Sequence, residues 1–286
     1  MDTGDSYGCP FVVGATGRIA RGGAVLLSDF VMIKHQFPRE IVIYPIADVH
    51  YGAVEHNEQG WRRLLDEILA QDNEYVILNG DLVNNSLRGS IGSGVYEDKT
   101  VPPRLQKEYM VEALRPLSER ILCATSGNHE RRTTRETSQD ITLDIMARLS
   151  REELYRENAA FMSVQIGDRD NFTFCVTHGS GGGGIYTGAS VNRGERFAQI
   201  VDVDCLVTGH THKGAVTRPS RLVLSLRNGT VIQKEYLVVS CVPWLAYGGY
   251  ALQQMLTPST HSQPQKLVLR PATNQHTRNK KIEVIW

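Results

Sequence analysis

Short apolar runs that stop at Gly, Asp, Asn or His recur along the chain between residues 41 and 212. Ile41 to Ala47 runs into Asp48-Val49-His50, Tyr75 to Asn79 into Gly80-Asp81, and Ile121 to Ser126 into Gly127-Asn128-His129-Glu130. Phe172 to Thr177 then meets His178-Gly179, and Cys205 to Thr208 meets Gly209-His210-Thr211-His212. Runs of this length bounded by Gly read as buried strands. Residues 57 to 71 carry a different period. Trp61, Leu64, Leu65, Ile68 and Leu69 fall on one helical stripe, and Asn57 is placed to cap it. Further helices are expected from Pro103 or Arg104 to Glu119, with Met110, Val111, Leu114 and Leu117 buried, and near 139–149 and 195–201. Strand, helix and strand in succession make a βαβ unit with a polar residue at each strand end.

Beyond His212 the pattern turns to strands and hairpins. Leu222 to Leu226 and Val231 to Val239 flank an Asn228-Gly229 turn, and Lys266 to Leu269 and Lys281 to Ile285 are further strands. This part predicts a mainly antiparallel second sheet packed on the first. At the other end, Val13 to Ala20 superficially matches a Gly-x-x-Gly-x-x-Ala dinucleotide turn, but Gly22-Gly23 stand where a helix should follow. A hairpin and a strand from Leu26 to Ile33 fit better.

Length and charge narrow the function classes. The 286 residues suit a single domain, 1–286, with a motif core at about 41–213 and a strand-rich remainder at 214–286. Lys and Arg total 31 against 31 Asp and Glu, so any basic contact surface must be local. No run approaches ~18 apolar residues, and Met1 to Pro10 lacks the apolar core of a secretory signal, so neither a membrane span nor export is expected. Cys9 stands apart from Cys123, Cys175, Cys205 and Cys241, which sit inside apolar runs. They read as reduced, buried thiols in a cytoplasmic protein and not as metal ligands.

In open α/β sheets, ligands bind beyond the carboxyl ends of strands. Convergence of the five ends would bring two Asp, one Asn and several His together, which is a metal site. Singly, each has a plainer reading: a strand-end Asp is usually a helix cap and a lone His a satisfied polar group. The ordered set Asp-x-His, Gly-Asp, Gly-Asn-His-Glu, His-Gly and Gly-His-x-His resembles the calcineurin-like metallophosphoesterases over about residues 41–213. The resemblance implies an α/β fold, the family's α/β/β/α sandwich of two mixed sheets flanked by helices.

It also implies a ligand set. Asp48, His50 and His212 would hold one divalent ion, Asn128, His178 and His210 a second, and Asp81 would bridge them. A hydroxide shared by the two ions would attack phosphorus. Oxygen and imidazole donors suit Mn first, with Fe, Zn, Ni or Mg as alternatives. His129 is implied to be no ligand but a catalytic residue facing the leaving group, where a protonated imidazole could donate its proton; a supporting hydrogen bond is its other reading.

Departures from the subgroups narrow the substrate. Protein Ser/Thr phosphatases continue Gly-Asp with x-x-Asp-Arg, where Asn84 and Asn85 stand here, so the carboxylate that would orient His129 is missing. Gly-His-Thr-His is more similar to the phosphodiesterases and repair exonucleases of the superfamily. The expected function is therefore hydrolysis of nucleic-acid or nucleotide phosphodiesters, with DNA or RNA as the partner and a homo-oligomer left open. A small-molecule or cyclic-nucleotide esterase, a monoesterase and a silent scaffold are the alternatives. Arg131, Arg132 and Asn84 are candidate substrate contacts, with Arg135, Arg193 and Arg196 further off; a solvated charged face accounts for the arginines as well. Residues 84–103 and 180–192 are expected to be loops shaping the pocket, and Tyr51, Tyr96, Tyr186 and Trp244 to stack on bases or pack in the core.

Overall fold

The structure, a computed structural model, describes residues 18–19, 25–26, 31–87, 101–180, 186–226, 228–253, 255, 257–258, 263–272 and 280–286. Residues Met1–Val31 form one compact unit and Met32–Trp286 another. In the first, β1 (Arg18–Ile19) pairs antiparallel with β2 (Val25–Leu26), in line with a hairpin there. Of the strand expected from Leu26 to Ile33, residues 27–30 lie outside the described set and 31–32 are not strand. The strand that does form is β3 (Ile33–Phe37), missed because only Ile33 is fully buried, with polar residues at 34, 35 and 36.

The second unit carries β4 (Ile41–Ile46), α1 (Glu58–Leu69), β5 (Glu74–Asn79), α2 (Pro103–Leu114), β6 (Ile121–Thr125), α3 (Glu130–Thr137), α4 (Ile141–Arg148), β7 (Tyr155–Arg156), β8 (Ala159–Ile166) and β9 (Asp170–Thr177). It continues with α5 (Thr187–Ala198), β10 (Cys205–Thr208), β11 (Ala215–Thr217), β12 (Ser220–Ser225), β13 (Thr230–Glu235), β14 (Leu237–Ser240), α6 (Gly249–Gln253), β15 (Lys266–Arg270) and β16 (Lys281–Ile285). One six-stranded sheet has the order β16-β15-β4-β5-β6-β7, the other β11-β14-β10-β9-β8-β3. Both are mixed: β4, β5 and β6 run parallel, as do β9, β10 and β14, while β15 joins β4 and β8 joins β9 antiparallel.

The sheets pack face to face. Ile41, Ile43, Ile77, Cys123, Leu267 and Leu269 of one share a core with Met162, Val164, Phe172, Phe174, Val207 and Val239 of the other. The outer face of the first sheet is covered by helices: Trp61, Leu64 and Ile68 of α1, Met110 and Leu114 of α2 and Ile145 of α4 pack against Tyr44, Val76 and Leu78. Across the second sheet, Ala198 and Val203 meet Cys175, Leu206 and Val238. This is the α/β/β/α sandwich. Pro45 is tolerated in central β4 because β15 stops pairing at Ile43, leaving no neighbour on that side to need its missing N–H.

Several elements depart from the sequence reading. Asn57 caps α1 through Gly60 N, and its stripe is buried except for Leu69 at the frayed end. The helix expected to Glu119 gives way at Arg115 to a tighter 3₁₀ turn, Arg115–Arg120, because Pro116 cannot donate within an α-helix. The helix placed at 139–149 begins at Ile141, capped by Asp140. Before it lies α3, whose sequence Glu-Arg-Arg-Thr-Thr-Arg-Glu-Thr has no apolar stripe to reveal it. The helix placed at 195–201 is α5, so the expected loop 180–192 is helical from Thr187. Its buried face is Ser190, Gly194 and Ala198, small residues without hydrophobic signal. Gly194 is required there, since a Cβ would lie 2.6 Å from Val238 Cγ1.

The C-terminal strands do not build a second sheet of their own. β15 and β16 extend the first sheet beside β4, β14 inserts between β10 and β11, and β12 and β13 form a separate ribbon turning at Gly229 (φ +60°). Hydrophobic patterning specifies strands, not their neighbours. Cys123, Cys175, Cys205 and Cys241 are free and buried, and Cys9 lies outside the described residues.

Candidate metal centre

The five strand ends meet at one rim of the sandwich, three from one sheet and two from the other. Main-chain bonds lace the loops of the first sheet: Asp48 N donates to Gly80 O (3.1 Å), His50 N to Asp81 O (2.9 Å) and Tyr51 N to Leu82 O (3.0 Å). In the other sheet Gly209 N donates to His178 O at 3.1 Å. Asn79, fully buried, fastens the two sheets together. Its Nδ2 donates to Thr177 O (3.1 Å), its Oδ1 accepts from Thr125 Oγ1 (2.7 Å), and its carbonyl accepts from His178 Nδ1 (2.7 Å). The last bond fixes the His178 tautomer and leaves Nε2 pointing into the site.

The backbone at the rim is bent sharply. Asp48, His50, Asp81, His210 and His212 all have φ between +47° and +70°, the left-handed region that side chains other than glycine rarely adopt. Such outliers cluster at functional sites, where surrounding contacts hold them. Gly80 and Gly127 permit the close approach of two of these loops. A Cβ on Gly80 would lie 2.5 Å from Gly127 N, and one on Gly127 would lie 2.1 Å from Asp81 Oδ1.

Three overlapping donor clusters result: Asp48, His50 and His212; His50, Asp81 and His129; and Asp81, His178 and His210. In the first, His212 Nε2 lies 3.0 Å from His50 Nε2 and 3.2 Å from Asp48 Oδ1, and His50 Nε2 is 3.7 Å from Asp48 Oδ1. Ligands each ~2.1 Å from one ion are at most ~4.2 Å apart, so these separations fit a shared cation. Two imidazole nitrogens aimed at each other also call for something positive between them. In the third cluster His178 Nε2 is 3.2 Å from Asp81 Oδ2, and Asn128 Oδ1 lies 3.2 Å from His178 Nε2 and 2.6 Å from His210 Nδ1. Asp81 stands between the two ends, with Oδ2 also 3.7 Å from His50 Nε2.

Charge is distributed as a cation site requires. Burial opposes ionisation of Asp48, but His212, His50 and His178 outweigh it and hold the carboxyl well below the usual range. Asp81 is depressed likewise, chiefly by His178 and His129 against burial. Burial disfavours charge on His178, yet Asp81 and Asp48 raise its pKa to about 10. His212 is raised by Asp48 against burial, whereas burial pushes His50 down. Without an ion, the proton held by His178 supplies positive charge there.

A family model described as calcineurin-like phosphoesterase matches residues 41–214, the stretch that carries all of these donors. The chain belongs to the calcineurin-like phosphoesterase family. This phosphoesterase is thereby a metal-dependent phosphoester hydrolase. Among solved structures it is similar to vacuolar protein sorting 29 from Cryptosporidium parvum, with 19% identity over 86% of this chain and 98% of that one and a TM-score of 0.43. A metallophosphoesterase from Sphaerobacter thermophilus shares 15% identity over 81% of this chain and 84% of that one, TM-score 0.39. Vps29 from Entamoeba histolytica, solved with Zn²⁺, shares 14% over 86% and 98%, TM-score 0.35. No curated protein matches the chain in sequence.

The remaining expected site residues of the phosphoesterase separate into two groups. His129 lies beside the donors, its Nε2 3.9 Å from Asp81 Oδ2 and its ring centroid 4.3 Å from that of His50. Its Nδ1 donates to the main-chain carbonyl of Asn84 at 2.6 Å, so the missing carboxylate at that position is replaced by backbone and not by the Asn84 side chain. Arg132 donates to His129 Nε2 (3.1 Å) and to Asn84 O (3.2 Å). Burial, with His50 and Arg132, pushes the His129 pKa down to about 3 against the pull of Asp81.

Arg131 turns elsewhere, donating to Ser126 O (3.0 Å) and Glu157 O (3.2 Å) and lining a cavity beside His210 together with Arg193. Arg135 and Arg196 are exposed. Trp244 is core, packed near Trp61, and its main-chain N–H donates to Asp48 O at 2.9 Å. Tyr51 stacks on Tyr109 with centroids 3.6 Å apart, Tyr186 is exposed, and Tyr96 lies outside the described residues, as do 88–100 and 181–185.

Two residues that sequence reasoning passed over hold the site. One is Asn79, hidden inside a strand run. The other is Glu130, fully buried, whose Oε1 accepts from Leu82 N (2.7 Å) and Val83 N (3.2 Å) and whose Oε2 accepts from Asp81 N (2.9 Å) and Gly127 N (3.0 Å). Its place directly after Asn128-His129 was the available signal.

Proposed function

We propose that this phosphoesterase hydrolyses phosphodiesters of nucleotides or nucleic acid. The observation carrying this is the two-ended donor cluster meeting at Asp81, with His129 at one flank and an arginine-lined cavity along His210 at the other. A diester has a substituent to place on each side of phosphorus, and both flanks are furnished. The absence of the Asp-Arg pair of protein phosphatases at Asn84 and Asn85 supports the same reading.

Asp48, His50 and His212 would hold one divalent ion and Asn128, His178 and His210 the other, with Asp81 available to both. The donors are oxygen and imidazole with no thiolate, which favours Mn²⁺ among borderline ions. When bound, such a pair clamps the phosphoryl oxygens and lowers the pKa of a water for attack. The protein's own groups do the rest. Asn84 holds Nδ1 of His129 through its carbonyl, so Nε2 is the atom that exchanges a proton with the leaving oxygen. Arg132 places a guanidinium beside that ring, where charge develops on the phosphoryl group. Substrate negative charge counters the depression of His129 and allows it to carry the proton.

Hydrolysis of bis(p-nitrophenyl) phosphate and p-nitrophenyl phosphate, with Mn²⁺ and at equal concentration, tests the reading. The diester is expected to have the larger kcat/KM, and oligonucleotides to be cleaved. A clear preference for the monoester, with no cleavage of dinucleotides or oligonucleotides, overturns it.

A further inference from the structure

Beside His210, the ends of β9 and β10 and the face of α5 enclose a cavity of about 270 Å³. Two features give it a chemical character. Arg131 and Arg193 are the cationic side chains among its described lining residues, and no carboxylate is among them. Arg131 is also incompletely used: Nη2 donates to Ser126 O and Glu157 O, while Nε is buried with no hydrogen-bond partner. The Arg131 guanidinium, a lining group of the cavity, thus keeps donor capacity beyond those two main-chain bonds. Arg193, from α5, donates to Ser180 O at 2.9 Å, on the strand-end loop that follows His178. Phe197, one helical turn on, adds an apolar wall.

We propose that this cavity is an anion subsite, in which Arg131 and Arg193 hold a second phosphate of the substrate while the scissile one lies at the metal centre. The inference rests on the phosphodiesterase reading for its reaction, and it names the substrate class: phosphodiesters that carry another phosphate next to the scissile bond. The volume lies just below the ~300 Å³ at which drug-sized ligand pockets begin, room for a sugar phosphate but not for an oligonucleotide. Guanidinium groups are suited to phosphate because their donors match its oxygens in pairs.

The test compares two dinucleotides, pTpT and TpT, which differ only in the terminal phosphate. The wild-type enzyme is expected to prefer pTpT in kcat/KM by roughly 10–100-fold, as one or two charge-assisted hydrogen bonds would give. Arg193→Gln should bring that ratio close to one, with the loss in KM and not in kcat. Arg131→Lys, which keeps a charge but not the fork, should reduce it partially. Because the readout is a ratio, a general loss of folded enzyme does not imitate the result. An oligothymidylate separates the two sources of a second phosphate: a KM below that of pTpT assigns the subsite to a polynucleotide backbone, a higher one to a terminal monoester. Equal turnover of pTpT and TpT by the wild type, or an unchanged ratio in Arg193→Gln, overturns the proposal. Calorimetric titration of ribose 5-phosphate into chelator-treated protein keeps this distinct from the diesterase reading. Binding that Arg193→Gln abolishes supports the subsite even if no diester is cleaved; no binding to the wild type counts against the subsite even if diesters are.

Discussion

Substitution of Glu130 by glutamine tests whether the carboxylate at the start of α3 sets the position of Asp81. The side chain is fully buried and accepts four main-chain N–H groups, two on each oxygen, from Asp81, Leu82, Val83 and Gly127. An amide keeps one oxygen. In either orientation its NH₂ group then faces two buried N–H donors that lose their acceptor. A buried donor left unsatisfied costs ~1–3 kcal/mol, so Glu130→Gln should destabilise the metal-free protein by about 2–6 kcal/mol. That is a large part of the ~5–15 kcal/mol that holds a domain folded. The loss falls on the loop whose main chain presents Asp81, so metal occupancy should fall with it. Urea unfolding of chelator-treated protein gives the first quantity, and metal analysis after reloading gives the second. A variant within ~0.5 kcal/mol of wild type would refute the reasoning. Loss of stability with two full metal equivalents retained would reduce Glu130 to a fold-holding role.

Chelation should abolish hydrolysis and Mn²⁺ restore it, checked by assay before and after verified metal removal. Loading should also release a proton near pH 8, because His178, raised to about 10, must give its own up to ligate; calorimetry in buffers of different ionisation enthalpy reads this. By the same sign, His178 stabilises the metal-free fold below its unfolded value near 6.5, and that contribution disappears as pH rises toward 10, so the apo Tm should fall across this window. Asp81→Asn should lower the stoichiometry at both ends of the cluster, whereas Asp48→Asn should weaken mainly one; two full equivalents in Asp81→Asn protein would count against a bridge. His129→Gln should keep both metals yet slow substrates with alkoxide leaving groups on the order of 10²–10⁴-fold, and p-nitrophenyl esters less. Equal losses for both leaving groups would make His129 a charge stabiliser.

The strands that carry Asp48, Asp81, Asn128, His178 and His210 were legible because each is an apolar run ended by Gly or a polar residue, buried on both faces between layers. The order of the motifs then pointed to the family. What escaped depends on contacts distant in sequence. α3 and α5 bury Glu130 and a stripe of small residues, which no hydrophobic period announces. β15 and β16 were recognisable as strands, but the docking of β15 on β4 across more than two hundred residues was not. The His129 environment escaped for a related reason: its partner is the carbonyl of Asn84, a group that every residue type carries. The divergence of Arg131 and Arg132, adjacent in sequence but bonded to different carbonyls, likewise required the turn at the start of α3.

The rim joins two stretches of chain that the ribosome delivers at different times. Asp48, His50, Asp81 and Asn128 follow the strands of the first sheet, while His178, His210 and His212 belong to the second. At ~5–20 residues per second, the last histidine emerges roughly 4–17 s after Asn128. Until His178 emerges, the nascent chain displays two carboxylates, an amide and a single ligating imidazole, a set poor in nitrogen donors that can hold ions only loosely. High affinity arrives with the final histidines, once Thr177 and His178 have closed on Asn79. An ion that stays bound would therefore mark a chain in which both stretches have met.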